Sequence, residues 1–449
     1  MVNVDRSRCA YCGGCVSTCP EGALTLAETH LVVATQCTEC GQCIAACPTG
    51  ALSLGEARIA RRDAPLRGRY DVVVVGAGPG GSMAAKTAAE AGLSVLLLEK
   101  RQEIGSPVRC AEGVGRAQLL PFIEPDALWI AAEVSRAEIT TITGGHKATV
   151  SLEGGAGYIL ERRVFDRVLA ERAAKAGAEV QVKTAATGLL LEDRRVRGVR
   201  IDRWGQVGDG GQEVEARVVI AADGVESQVG YWGGLDVELP LEDTMVCAQY
   251  LLAGIDIDPA CTRYTIGHDI APGGYAWVFP KGEGKANVGL GVQADVWEEV
   301  AANAPWGKGP HSGPGTVLDY LTRYIEAEPR LQQGYPVTLV VGNVPVGLSP
   351  QRVAADGLVL VGDAARQVDP LTGGGIINAM TAGQIAAQVV ARAIAGGDTS
   401  AGFLHQYEEE WQRTVGRKLE RNYRLRQRFP PEQRASQRFV RAFALAAAG

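Results

Sequence analysis

Eight of the chain's eleven cysteines fall within its first 47 residues, and no other feature constrains the fold as tightly. They are Cys9, Cys12, Cys15, Cys19, Cys37, Cys40, Cys43 and Cys47. Each group of four reads C-x2-C-x2-C-x3-C-P, closing on Pro20 or on Pro48. A structural zinc site takes its four ligands in two pairs, and a third cysteine two residues on does not suit it. A disulfide framework belongs to secreted chains, whereas residues 1–8 hold no apolar signal region and the cysteines begin almost at once. The second group starts 28 residues after the first, and a GAL-x-L pattern recurs behind each at 23–26 and 51–54, so the region is an internal duplication. Gly13, Gly14 and Gly41 allow the backbone to approach and to aim N–H groups at sulfur.

The spacing resembles that of bacterial two-cluster ferredoxins, in which the fourth cysteine of each run ligates the other cluster. The resemblance implies two 4Fe–4S clusters. Cluster one would be held by Cys9, Cys12, Cys15 and Cys47, and cluster two by Cys37, Cys40, Cys43 and Cys19. The rest of the chain is too long for one module: 449 residues suggest about three domains. No run of about 18 apolar residues offers a membrane span. A net charge of -6 argues against a nucleic-acid partner.

Residues 57–69, basic and holding Pro65, read as a linker or docking strap. The character then changes. Residues 70–75, apolar but for Asp71, form a run as in a parallel strand buried on both faces. Gly76, Gly78, Gly80 and Gly81 follow, then a helical stretch of small residues, then a strand ending at Glu99, 23 residues after Gly76. This is a dinucleotide fingerprint in full context: glycines for the turn and for pyrophosphate approach, a helix N-terminus for its charge, and an acid for the ribose. Two later strands end in Asp223-Gly224 and Gly362-Asp363, and the second leads into Gly373–Gly375, Ile376 and an Ala-rich helix. A second such junction suits a long two-part cofactor, FAD, with Asp363 reaching the ribityl chain and the helix N-terminus facing the flavin. No second fingerprint marks a nicotinamide domain.

Residues 70 to about 420 resemble the geranylgeranyl reductase family, among the p-hydroxybenzoate-hydroxylase-like flavoproteins. The carrying motifs are PVRCAEGV at 107–114, YILERxxFD at 158–166, GYAWVFPKG at 274–282 and the Gly362-Asp363 stretch. The resemblance implies FAD contacts at Gly80, Glu99, Cys110, Ala111, Gly113, Arg162, Ala186, Asp363, Gly375 and Ile376. It places Cys110 beside the flavin, as a proton source or a gate. It also sets Tyr275, Trp277 and Phe279, which alternate on one strand face, along an apolar tunnel for a prenyl chain. Lys281 and Arg109 are candidates for an anionic head group or for solvated surface charges. Cys247 and Cys261 read as core thiols. The histidines His30, His146, His268, His311 and His405 show no ligand-like spacing.

The expected architecture mixes α/β and α+β. A dicluster ferredoxin domain (1–56) and the linker precede a Rossmann-like FAD domain (70–400), which is interleaved with an antiparallel-sheet substrate domain at approximately 235–345. A basic helical segment (401–449) closes the chain. From 411 on it holds ten basic and two acidic residues, with Phe429, Phe439, Phe443 and Leu445 among them. It reads either as a membrane-surface contact or as a solvated face paired with the acidic body. The expected activity is hydrogenation of prenyl double bonds by a cytoplasmic enzyme, peripheral on the membrane in the first of those readings. Single electrons would come from a low-potential soluble donor such as ferredoxin. The alternative is an electron-transfer-flavoprotein:quinone oxidoreductase-like protein that reduces a quinone. A flavin hydroxylase fits poorly with oxygen-sensitive clusters.

Overall fold

The computed structural model describes residues 2–5, 8–26, 31–54, 66–203, 212–296 and 316–447. Most of the expected linker, together with His30 and His311, lies outside them. The cysteine region folds as two copies of one unit. Each copy has a short helix, Gly14–Ser17 or Gln42–Ala46, entered through Gly13 (φ 76°) or Gly41 (φ 78°). This left-handed region is open to glycine at little steric cost. Strand Asn3–Val4 pairs antiparallel with Leu52–Ser53, and Leu24–Leu26 with Leu31–Val33. Leu24, Leu31 and Leu52 pack around Cys9, Cys15 and Cys43 as a small core.

An apolar run without polar alternation needs cover on both faces. Strand Arg69–Val75 gets it at the centre of a mostly parallel sheet, between Val95–Leu98 and Gln212–Ala221. Glu179–Gln181 and Leu358–Leu360 extend the parallel part, while Arg195–Arg203 and Thr184–Glu192 add antiparallel strands. Helices Pro79–Glu90 and Ile376–Gly396 share the same core through Ala84, Ala88, Ala386 and Val390. They approach so closely that a Cβ on Gly383 would stand 2.1 Å from the Gly80 carbonyl oxygen.

The second sheet has eight strands, in the order Tyr335–Pro345, Thr244–Ala253, Lys285–Gln293, Tyr275–Gly282, Cys261–Ile266, Ile130–Thr143, His146–Leu160, Gly113–Gly115. It therefore draws on 113–160 as well as on the expected insertion at 235–345. Strand Cys261–Ile266 runs parallel to Ile130–Thr143, and this pairing stitches the two stretches together. Helix Val317–Ala327 covers one face, burying Tyr320, Leu321 and Tyr324 against Ala248, Val288 and Leu290. The opposite face carries Trp277 and Phe279.

The tail buries one face of its last helix in the protein. Phe439 and Phe443 of helix Gln437–Ala447 are buried, in one cluster with Ile139, Ile266 and Leu371, and Phe429 packs on Phe439. Of the four apolar residues noted there, Leu445 points outward, 69% exposed. No helix among the described residues is long and apolar enough to cross a membrane. The glycine turn gives the fold's sharpest steric test. A Cβ on Gly81 would lie 1.9 Å from the Gly76 carbonyl oxygen, a gap that backbone must open. Gly81→Ala is expected to lower the unfolding free energy by about 2 kcal/mol or more in a denaturant melt.

Candidate active site

The glycine turn does two separate jobs. Gly76, at φ 101°, lets strand Arg69–Val75 turn over its neighbour, where a Cβ would meet the Ala222 carbonyl oxygen at 2.3 Å. Gly78 has nothing within 4 Å of its Cβ position, so the space in front of helix Pro79–Glu90 is open. That helix starts with Pro79 and points its unpaired N–H groups at the space, which suits a pyrophosphate. Gly81 does not line the space. It packs against the turn, with the Gly76 carbonyl close behind it.

The open space is one end of a single cavity of about 1990 Å³. Ligand sites ordinarily measure about 300–1,000 Å³, so this one has room for a dinucleotide and a second molecule. Gly76, Gly78, Gly80, Glu99, Cys110, Ala111, Gly113, Arg162, Ala186, Asp223, Gly362, Asp363, Gly375 and Ile376 all line it. Glu99 accepts the N–H groups of Ala77 (3.2 Å) and Arg101 (2.9 Å), which aim its carboxylate along the turn. Asp223 caps Gln228 and Val229 through Oδ2, at 2.9 and 3.2 Å, while its buried Oδ1 has no partner. Burial raises the pKa of Asp363, and Arg162 opposes the shift. An orphaned buried oxygen on Asp223, the half-buried Asp363 carboxylate on the wall and an open helix N-terminus fit the hydroxyls and phosphates of FAD.

Cys110 opens the loop that crosses the middle of the cavity. Its Sγ accepts the Glu112 N–H at 3.2 Å, and the Gln249 amide donates to its carbonyl at 3.1 Å. Burial pushes the thiol above its ordinary value, with Arg162 pulling down and Glu112 pushing up. Arg162 is held by a bidentate pair with Asp166, at 2.6 and 2.7 Å.

Tyr275, Trp277 and Phe279 do share one face, and the structure adds Tyr264 and Phe443 to them. Ring centroids stand 5.8 Å apart for Tyr275–Trp277, 5.3 Å for Tyr264–Phe279 and 5.1 Å for Tyr275–Phe443. All five line the cavity. The Trp277 indole donates to Gln249 at 2.8 Å, and the Tyr275 hydroxyl donates to the Thr372 carbonyl. Cys247, expected in the core, lines the cavity too, its thiol pushed up to about 12 by burial. Tyr264 and Phe443 were not legible because each reaches the site through long-range packing rather than through the strand's alternation.

Lys281 is neither a head-group ligand nor a surface charge. It is 5% exposed and donates to Glu112 at 2.8 Å, to Glu161 at 3.0 Å and to the Leu160 carbonyl at 2.6 Å. Arg109 lines the cavity half-exposed and pairs with Glu226, whose carboxyl is held near 2 by Arg109 and Lys100, with hydrogen bonding first among the causes.

In the N-terminal domain no disulfide joins any of the eight cysteines. Burial raises the pKa of Cys15, and the neighbouring thiols Cys47, Cys9 and Cys12 add to the rise. Burial likewise raises Cys43, whose thiol neighbours are Cys19, Cys37 and Cys40. Two groups of four thiols therefore stand apart, each drawing one member from the other run. Among the described residues no three His, Cys, Asp or Glu side chains close on a single-ion position. The fourth cysteines accept backbone N–H groups, Ala23 to Cys19 at 3.3 Å and Ala51 to Cys47 at 3.1 Å. Four-thiol groups with N–H donors on sulfur have the chemistry of iron–sulfur ligation. The domain touches the flavin domain where Lys183 Nζ donates to the Cys9 carbonyl (3.2 Å) and lies 5.7 Å over the Tyr11 ring.

Residues 243–306 match the geranylgeranyl reductase catalytic domain, 69–259 an FAD-binding domain and 1–48 a 4Fe–4S dicluster domain. The chain is 50% identical over 363 residues to a digeranylgeranylglycerophospholipid reductase of Methanothrix thermoacetophila, covering 80% of this chain and 88% of that protein. The chain belongs to the geranylgeranyl reductase family. A reductase of the same name from Methanosarcina acetivorans is 50% identical over 355 residues, or 78% of this chain and 82% of that one. The crystal structure of a geranylgeranyl bacteriochlorophyll reductase-like protein from Thermoplasma acidophilum matches with a TM-score of 0.73 at 39% identity. It covers 85% of this chain and 94% of its own. The chain is thus an FAD-dependent geranylgeranyl-type reductase with an N-terminal 4Fe–4S dicluster domain. Lys281→Ala would strand Glu112 as a buried, under-compensated charge. It is expected to cost about 3–5 kcal/mol of stability in thermal or urea unfolding, and less in the Glu112→Gln background.

Proposed function

We propose that this enzyme takes single electrons from a soluble low-potential donor of ferredoxin type and hydrogenates the carbon–carbon double bonds of a prenyl phospholipid. The observation that carries the reading is the continuity of one cavity from the glycine turn to the five aromatic rings. The relatives named for digeranylgeranylglycerophospholipid support a lipid with geranylgeranyl chains as substrate.

The ligand sets follow the two thiol groups: Cys9, Cys12, Cys15 and Cys47 for one cluster, and Cys37, Cys40, Cys43 and Cys19 for the other. When bound, the clusters supply one-electron transfer and FAD supplies the two-electron reduction that an alkene needs. The Lys183 contact with Cys9 and Tyr11 seats the dicluster domain on the turn that carries Glu99, since Lys183 and Thr184 donate to the Arg101 and Glu99 carbonyls. Tyr264, Tyr275, Trp277, Phe279 and Phe443 hold the prenyl chain and exclude water. Cys110 holds the proton at Sγ that the second alkene carbon requires. Peripheral contact with a bilayer, on the cytoplasmic side, uses some of the exposed apolar residues, Leu445 and the edge-strand residues Val337, Leu339 and Val341 among them.

Anaerobic stopped-flow tests the electron path. With dithionite or reduced ferredoxin, cluster absorbance is expected to bleach first and flavin absorbance to follow; clusters that bleach while flavin stays oxidised sink the relay. Lys183→Glu is expected to slow the flavin phase while FAD content and cluster spectra stay as in the wild type. Cys110→Ala is expected to slow alkene reduction about 100-fold, with flavin reduction by dithionite unchanged. A proton donor works below its pKa. The wild-type rate should therefore hold through neutral pH and fall only as pH climbs past the ordinary thiol range, because burial has raised this thiol.

A further inference from the structure

Two of the ten basic residues in the tail are buried rather than solvated. Arg426, in helix Arg417–Arg428, is 3% exposed, and Arg434 is 6% exposed. Both donate to one acceptor, the Gln293 side-chain oxygen, at 2.7 Å from Arg426 Nη2 and 2.8 Å from Arg434 Nη1. Like charges are brought together this closely only when something holds them. Arg426 has Asp243 at 3.7 Å and the Glu242 carbonyl at 3.2 Å. Arg434 has no carboxylate within 4.0 Å among the described residues. Its Nε donates to the Phe429 carbonyl at 3.1 Å and its Nη1 also to the Gly273 carbonyl, while among the described residues its Nη2 has no protein partner. Asp295 accepts from Gln293 at 2.7 Å, and its charge and that of Glu432 offset part of the Arg434 charge without touching it. Burial pushes the Arg434 guanidinium down to about 9, and Arg426 pushes the same way.

A buried guanidinium short of an anion is costly, and it is retained where an anion arrives. Arg434 and Arg426 both line the cavity, as do Gly273 and Phe439 beside them. The wall next to them is the aromatic arm, where Tyr275 and Phe443 stand. An anion delivered there comes attached to an apolar chain. A guanidinium fork matches a phosphate better than an ammonium group does.

We infer that Arg434, backed by Arg426, is the subsite for the phosphate of the prenyl lipid, set against the aromatic arm that takes its chain. The inference rests on the reductase reading for the chain and adds the residue that selects an anionic head. A tail merely clamped by its arginines would bind charged and uncharged lipids alike.

The test measures binding, so it stands apart from electron transfer. The probes are geranylgeranyl phosphate, geranylgeraniol and inorganic phosphate, added to the oxidised holoenzyme while tryptophan fluorescence is followed. The wild type is expected to bind the prenyl phosphate about tenfold or more tightly than the alcohol, as a charged hydrogen bond contributes. In Arg434→Gln that ratio should fall to about one with alcohol binding and flavin absorbance unchanged, and Arg434→Lys should keep part of it. Inorganic phosphate should weaken prenyl-phosphate binding in the wild type and leave the alcohol alone. If inorganic phosphate binds as tightly as the prenyl phosphate, the site is for free phosphate and the lipid assignment fails. An equal loss for both prenyl probes in Arg434→Gln, or a wild type without preference, overturns the inference. Should Arg434→Gln fail to retain FAD, the wild-type ratio and the phosphate competition decide it alone.

Discussion

One buried carboxylate joins the parts of this molecule. Glu112 sits in the loop that carries Cys110, Ala111 and Gly113, and it is 4% exposed. Its Oε1 accepts the Arg162 N–H at 2.7 Å, which starts the helix Arg162–Lys175. Its Oε2 accepts Asn287 at 2.7 Å and Lys281 at 2.8 Å, both from the eight-stranded sheet. Glu112 itself takes φ 74°, a conformation that a non-glycine residue keeps only when its surroundings over-determine it. Loop, helix and sheet are thereby locked in one register, and the loop's thiol is held over the cavity. A buried ion pair adds little net stability against a hydrophobic alternative, so its role here is to specify the arrangement.

That register makes a shared chamber possible. The glycine turn and the two helix N-termini form one end, built from the parallel sheet. The aromatic arm forms the other, built from the antiparallel sheet and closed by Phe439 and Phe443 of the last helix. Asp223 leaves a buried oxygen without a partner at the dinucleotide end, and apolar rings cluster at the other. An apolar arm of this kind suits a prenyl chain.

Legibility in the sequence followed the range of the signal. The cysteine duplication, the glycine fingerprint ending at Glu99 and the alternation of Tyr275, Trp277 and Phe279 are local patterns. Each repeats at a spacing set by backbone geometry, so each could be read without knowing the fold. Lys281 stood two residues from Phe279 and looked like a free cation, since nothing near it in sequence announces Glu112, 169 residues away. Part of the tail was hidden in the same way: nothing in its charge count announces that Arg426 and Arg434 turn inward to Gln293, or that Phe443 reaches Tyr264 and Tyr275. The sheet's second contribution, 113–160, was hidden because its pairing with Cys261–Ile266 crosses more than a hundred residues. Gly81 belongs to the fingerprint in spacing but to packing in space.

The central claim is that dicluster domain, flavin cradle and aromatic arm serve one hydrogenation. Its most direct test is anaerobic incubation of the holoenzyme with reduced ferredoxin and a geranylgeranyl-chain glycerophospholipid, followed by mass spectrometry of the lipid. The account predicts a mass gain of two hydrogens for each double bond, dependent on both FAD and an intact dicluster domain. A lipid recovered unchanged while the flavin is fully reduced, or a reduced quinone as the sole product when one is supplied, would contradict it.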